Sequence, residues 1–266
     1  MKFVLKFILA LLFVPIFLIL LIGVTVRFQL LEPSFWENAF SSSNTYSNLS
    51  VSINKNLESQ TIAEGGRASD VKILTDLITP ENLKDTIGKN INNILQYANG
   101  KVNEIIIYVP INKIPKSLLS KNFGKVTEQM SLTELLKEFN MSSISPAQIQ
   151  MISRIGLWTW VFLIIVTLLF LLVQYLLYLC TSPGGRLVAS GAAFIISGIV
   201  ALLLTASGTV IRINLAKDLA GRTNLNDSII GIIAPPVIQG VLSAWLLFAI
   251  AAIILGIVLF FVKKKK

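Results

Sequence analysis

Four long runs without a single charged side chain constrain this chain more than anything else in it: residues 7–26, 155–180, 187–211 and 229–262. An uncharged apolar helix of ~20 residues rises ~30 Å, the hydrocarbon thickness of a bilayer. The sequence therefore predicts an α-helical membrane protein with four transmembrane helices. Between the first and second runs lies a polar stretch that is mainly α, with a minor β component, and that forms an extracytoplasmic domain. The expected division is 1–26, an N-terminal transmembrane anchor; 27–154, the extracytoplasmic domain; and 155–266, a three-helix transmembrane region with short loops and a basic C-terminal tail.

The first run follows Lys2 and Lys6, as a secretory signal would, but its exit, Thr25-Val26-Arg27-Phe28, is a poor cleavage site. It reads as a retained anchor, bent at Pro15, rather than a cleaved signal. Trp158 and Trp160 at one end of the second run, with Tyr175 and Tyr178 at the other, mark the two membrane interfaces. Thr181-Ser-Pro-Gly-Gly-Arg186 then reverses the chain, so the second and third spans are antiparallel neighbours. The fourth run is too long for one crossing. Pro235-Pro236 suggests an interfacial turn or dipping segment over 229–234, with the crossing itself over 237–262.

Basic residues set the orientation when counted beside the spans. Lys2, Lys6, Arg186 and Lys263 to Lys266 lie on one side without an acidic residue, whereas residues 27–154 carry 13 basic and 12 acidic groups. Both termini are expected in the cytoplasm of a multi-pass protein of the plasma membrane, with 27–154 outside. The net charge of +9 is thus a topology signal. It does not form the basic, aromatic-laced stripe of a nucleic-acid binder. The lipid bilayer is the expected partner.

Composition excludes several chemistries. The chain has no histidine and one cysteine, Cys180, so imidazole triads and His/Cys metal clusters are ruled out. No Asp, Glu, Lys, Arg or His interrupts the spans, which argues against an ion-coupled transporter. Only Gln174 and Gln239 bring strong polarity to depth, and each is expected to bond a neighbouring helix or to snorkel. Glu81 with Asp85, and Glu134 with Glu138, share helix faces but read as solvated surface. Lys116-Ser117 reads as a loop. The expectation is a non-enzymatic protein with no catalytic, cofactor-binding or metal-binding residue and no cofactor.

Small residues recur at Ala193, Ser197, Ala201 and Thr205 in the third span, and at Gly240, Ala244, Ala252 and Gly256 in the fourth. These faces are expected to pack together, within one chain or between copies in a homo-oligomer. In the polar stretch, Phe35, Trp36 and Phe40 open a helix after Pro33, and Tyr46, Leu49, Ile53 and Leu57 continue helically. Residues 59–69 read as a loop. Thr79-Pro80 starts a helix that Gly100 ends. Ile105 to Val109 is the one convincing strand; Val71 to Leu74 is a candidate partner, and without an internal partner its open edge becomes an interaction site. Ser131 and Ser145 start capping boxes. From Pro146 the pattern runs without a breaker to Cys180, as one helix able to link the domain mechanically to the bundle.

Leu31-Glu-Pro33-Ser-Phe35-Trp36, Tyr46, Thr79-Pro80-Glu81-Asn82-Leu83, Asn90-Ile-x-Asn93-Ile94-Leu95-x-Tyr97 with Gly100, and Ile107-Tyr108-Val109-Pro110 together resemble a group of uncharacterised bacterial four-span integral membrane proteins. These carry one extracytoplasmic domain between spans one and two. The resemblance implies a layout and no activity. Two functions stay open at this point: binding or sensing of an envelope or protein partner by the outer domain, and service as a subunit of a transport complex resembling mechanotransmitting ABC permeases. The six residues between spans two and three leave little room for the coupling helix such a permease needs.

Overall fold

The structure, a computed structural model, describes residues 2–63, 72, 75, 76, 78–110, 127–139, 145–220 and 225–262. In chain order its elements are α1 (Lys2–Thr25), a π-helical turn (Val26–Leu30), α2 (Pro33–Ser41), α3 (Thr45–Ala63), α4 (Pro80–Ala98), β1 (Ile106–Tyr108), β2 (Gln129–Ser131), α5 (Leu132–Glu138), α6 (Pro146–Ile152), α7 (Ile155–Cys180), a 3-10 turn (Pro183–Gly185), α8 (Arg186–Ala220) and α9 (Leu225–Phe261). They form two compact units. One holds residues 1–29, 158–213 and 238–266; the other holds 30–157 with 214–237.

The first unit is a four-helix bundle with its polarity inverted relative to a soluble protein. Its outward side chains are apolar, with Leu168 at 62% and Leu247 at 69% exposure. Such surface is stable only in hydrocarbon. Among the described residues, four helices are long and apolar enough to cross a membrane: Val4–Leu30, Ile155–Cys180, Pro183–Leu219 and Ser228–Phe261. The chain is a multi-pass α-helical membrane protein.

Inside the bundle, Phe13 and Leu177 are fully buried with Leu9, Ile16, Val173 and Ala193. The Phe13 ring meets Phe170 at 4.8 Å and Phe194 at 5.1 Å, joining the first three spans. Since lipid tails are as apolar as leucine, packing and hydrogen bonds hold such helices together. A Cβ on Gly191 would lie 2.6 Å from the Gly256 carbonyl oxygen, and one on Gly198 would lie 2.8 Å from that of Ala249. The third and fourth spans therefore meet backbone to backbone within one chain. The contact uses Gly191 and Gly198, which the small-residue row did not include, while Ala193 of that row packs against the first two spans. Polar side chains add cross-links: the Trp245 indole donates to Thr25 Oγ1 at 2.8 Å, and Gln174 Nε2 donates to Ser190 Oγ at 2.7 Å.

One expected break is absent. Pro235 and Pro236 lie inside α9, which continues through them. Each proline removes one backbone donor, but Ile233 and Val237 pack against Ala39, Phe40 and Tyr46, and this packing holds the segment helical. The first turns of α9 belong to the polar unit, where Ser52 and Ser228 share a 2.7 Å hydrogen bond. A Cβ on Gly231 would meet that of Leu219 at 2.8 Å, so the end of α8 and the start of α9 are tightly apposed.

Conversely, the single helix expected from Pro146 to Cys180 is interrupted. α6 ends at Ile152, Ser153 turns its hydroxyl to the Gln150 carbonyl at 2.8 Å, and α7 begins at Ile155. Immediately after the break a Cβ on Gly156 would lie 2.8 Å from Asn99 Cα, so the C-terminal end of α4 packs directly on the chain there. This removes the continuous rod on which mechanical coupling was expected to rest. The loop expected over 59–69 is helical as far as Ala63; residues 64–69 lie outside the described residues.

In the polar unit α4 is the hub. Thr79 caps it by accepting from the Asn82 amide at 3.2 Å, Pro80 takes the first turn, and Gly100 follows at φ 69°. Its Leu83, Ile87 and Ile91 pack on the cluster of Ala39, Phe40 and Tyr46. β1 pairs antiparallel with β2, Ile107 opposite Met130, and the candidate partner Val71 to Leu74 falls largely outside the described residues. Only Lys72 of that stretch is described.

The other edge of β1 is not open. Asn90 Nδ2 donates to the Tyr108 carbonyl at 3.0 Å, its Oδ1 accepts from the Tyr108 amide at 2.6 Å, and Asn93 Nδ2 donates to the Ile106 carbonyl at 2.9 Å. Two side-chain amides one helical turn apart thus stand in for a third strand. On β2 the Ser131 amide donates to Glu134 in the capping box, and the Gln129 carbonyl accepts from Thr127. The condition set for a strand-addition site on β1, the lack of an internal partner, is therefore not met. Replacing Asn90 with Ala is expected to destabilise the unit by ~2–4 kcal/mol, because two buried backbone groups lose their partners. Denaturant unfolding in micelles checks this, with Asn92→Ala on the neighbouring rim expected within about 0.5 kcal/mol of wild type.

Candidate functional site

The residues that sequence reading put forward for chemistry are dispersed or occupied. Asp85 pairs with Lys89 at 2.9 Å, Glu134 closes its capping box, and Cys180 is a half-buried free thiol at the end of α7. Gln174 bonds Ser190, whereas Gln239 bonds Ser243 one turn along its own helix. Lys116-Ser117 lies outside the described residues. Among the described residues no group of three or more His, Cys, Asp or Glu is placed to hold a metal ion.

What the structure does assemble is a groove between α2 and α4. It has a volume of about 400 Å³ and is lined by Trp36, Glu37, Tyr46, Lys84, Asp85, Gly88 and Lys89, among others. The spacing of three and four along α4 sets Lys84, Asp85, Gly88 and Lys89 side by side on one face. α2 supplies the opposite wall, starting at Pro33 after the N-cap Glu32 and buried Leu31.

The aromatic wall is held rigidly. The Trp36 indole donates to the Leu30 carbonyl at 2.9 Å, and its ring meets those of Phe35 and Phe40 near edge-on at 5.8 and 5.9 Å. Phe40 in turn meets Tyr46 at 5.9 Å. Asn99, at the end of α4, donates to the Leu31 carbonyl at 3.1 Å, so both helices bind the backbone at the exit of the first span. Burial, and then the Glu37 carboxylate, push the Tyr46 phenol above its ordinary pKa, so it stays a neutral donor at physiological pH.

Charge lines the other side. Lys89 stands 4.3 Å above the Tyr108 ring while bonded to Asp85, and that hydrogen bond holds its ammonium above the ordinary amine range. Tyr108 is likewise raised, first by burial and then by its hydrogen bond to Glu128, with Lys89 opposing. The groove thus presents the paired Lys89 and Asp85, the exposed charges of Lys84 and Glu37, a phenol and an indole face.

Gly88 is the least expected member. A glycine inside a helix costs ~1 kcal/mol relative to alanine, and nothing lies within 4 Å of where its Cβ would be. Packing within the chain gives no reason for it. It leaves the floor of the groove bare backbone, open to close approach.

Comparison with protein-family models, curated proteins and solved structures finds no match to this chain. The groove therefore rests on its own geometry. Neither the role of Gly88 nor the joint use of Trp36 and Tyr46 in the lining was legible beforehand, because the groove brings α2 and the start of α3 against α4. The signals were present as an unexplained helix-interior glycine and as aromatics beyond those a short helix needs for its core. Gly88→Ala is expected to stabilise the protein by ~0.5–1 kcal/mol. Denaturant midpoints measure it; a loss of stability would mean that the position is sterically filled.

Proposed function

We propose that this is a non-enzymatic integral membrane protein of the plasma membrane whose polar unit, on the extracytoplasmic side, binds or senses an envelope or protein partner. The observation that carries the reading is the α2/α4 groove, with a preformed aromatic wall, alternating charge and a bare glycine floor. The partner that suits it is an extended segment bearing both charges, such as a peptide or a peptide-substituted wall polymer. Its ammonium and carboxylate groups would meet Glu37 and Asp85 on one hand and Lys84 and Lys89 on the other, and its backbone would lie along Gly88. Orientation follows from the basic residues flanking the spans at Lys2, Lys6, Arg186 and the terminal lysines.

A transport-complex role gains no support from the link between the second and third spans, a single 3-10 turn closed by Arg186 Nε on the Thr181 carbonyl at 3.3 Å. That turn leaves no helix for an ATPase to push. A photoreactive amino acid at Asn92, on the groove rim, is expected to form one discrete adduct in living cells that Gly88→Trp abolishes. The same residue as Asn92→Cys, with Cys180→Ser, is expected to react with a membrane-impermeant maleimide on intact cells. Labelling only after the membrane is opened contradicts the orientation, and an adduct indifferent to Gly88→Trp contradicts the groove.

A further inference from the structure

A second groove lies within the bundle, between the first and second spans. It has a volume of about 300 Å³ and an almost wholly apolar lining that includes Leu20, Val24, Phe28, Trp160, Ile164 and Leu168. A Cβ on Gly23 would lie 2.9 Å from the Leu163 side chain and 3.0 Å from Phe162, so the two helices touch there. The groove runs beside that contact. In a membrane, the only material that fills such a space is hydrocarbon.

At the groove's aromatic end stands a cation. The Arg27 guanidinium lies 4.9 Å from the Trp160 ring centroid and 5.8 Å from that of Phe28. Those two rings meet edge to face at 5.8 Å and both line the groove. Arg27 belongs to the π-helical turn, in which the wider winding re-aims side chains relative to α1. A guanidinium stacked on aromatic faces carries its donors around its rim, in the planar fork that suits phosphate oxygens.

From this juxtaposition we infer that the groove is a binding site for an anionic phospholipid, with one acyl chain between the first two spans and its phosphate on Arg27. The chemistry specifies both halves of the ligand. A zwitterionic phospholipid carries the same phosphate, but its headgroup cation offsets the attraction to the guanidinium, and a soluble phosphate ester would leave the groove unfilled. The neighbouring tryptophan and phenylalanine suit the depth at which headgroup and chain meet.

The test uses the full-length protein in detergent micelles containing equimolar phosphatidylglycerol and phosphatidylcholine with identical acyl chains, read by native mass spectrometry. Wild type is expected to retain the anionic lipid with roughly fivefold preference. Arg27→Gln is expected to fall to near parity, while replacing Lys263 to Lys266 with glutamine leaves the preference intact. Equal retention by wild type, or a preference that survives Arg27→Gln, overturns the inference. So that the test does not depend on the folding of Arg27→Gln, wild type alone is labelled with phosphatidylglycerol carrying a diazirine in its acyl chain. Adducts concentrated on Val24, Ile164 and Leu168 support the site; adducts spread equally over Leu247 and Ile254 of the fourth span contradict it.

Discussion

A three-residue strand with one short partner cannot satisfy its own backbone, and the polar unit depends on how that deficit is met. Asn90 and Asn93 reach from α4 and complete the ladder that β2 leaves half-formed. Because the same helix packs Leu83, Ile87 and Ile91 on the aromatic cluster of α2 and α3, one element organises both sides of the unit. Its end is used as fully as its middle: Asn99 binds the Leu31 carbonyl and lies against Gly156. The groove between α2 and α4 is a consequence, since α4 is held on three sides and leaves Gly88 bare on a fourth.

The bundle obeys a different physics. Hydrocarbon gives its helices no hydrophobic reason to associate, so they do so where glycines let backbones touch and where a hydroxyl or amide finds a partner. Gly191 against Gly256, Gly198 against Ala249, and Trp245 on Thr25 are contacts of that kind. None involves a formal charge. Arg27 is the exception at the margin, stacked on rings where the apolar groove ends.

Legibility in the sequence followed the range of each interaction. Four spans, the Thr79-Pro80 start, the Gly100 stop and both capping boxes are local, and each is visible as a run or a fixed offset. Features that failed were tertiary. Pro235-Pro236 reads as a break until Ile233 and Val237 have something to pack on, and Ser153 reads as helix until the end of α4 presses on Gly156. The Asn90-x-x-Asn93 spacing stood in the sequence without meaning, because its partner strand lies 13 to 18 residues away. A rule that polar pairs on a half-buried helix face satisfy a neighbouring backbone would have anticipated both the clamp and the closed strand edge.

The central claim is that side-chain amides of α4 act as the missing strand. Hydrogen exchange at the Tyr108 backbone amide, followed residue by residue in micelles, tests it most directly. The account predicts protection comparable to that of the middle of α4, since both open only when the unit opens. Rapid exchange at Tyr108 while Ile91 remains protected would contradict it, leaving β1 a frayed loop and the groove without its scaffold.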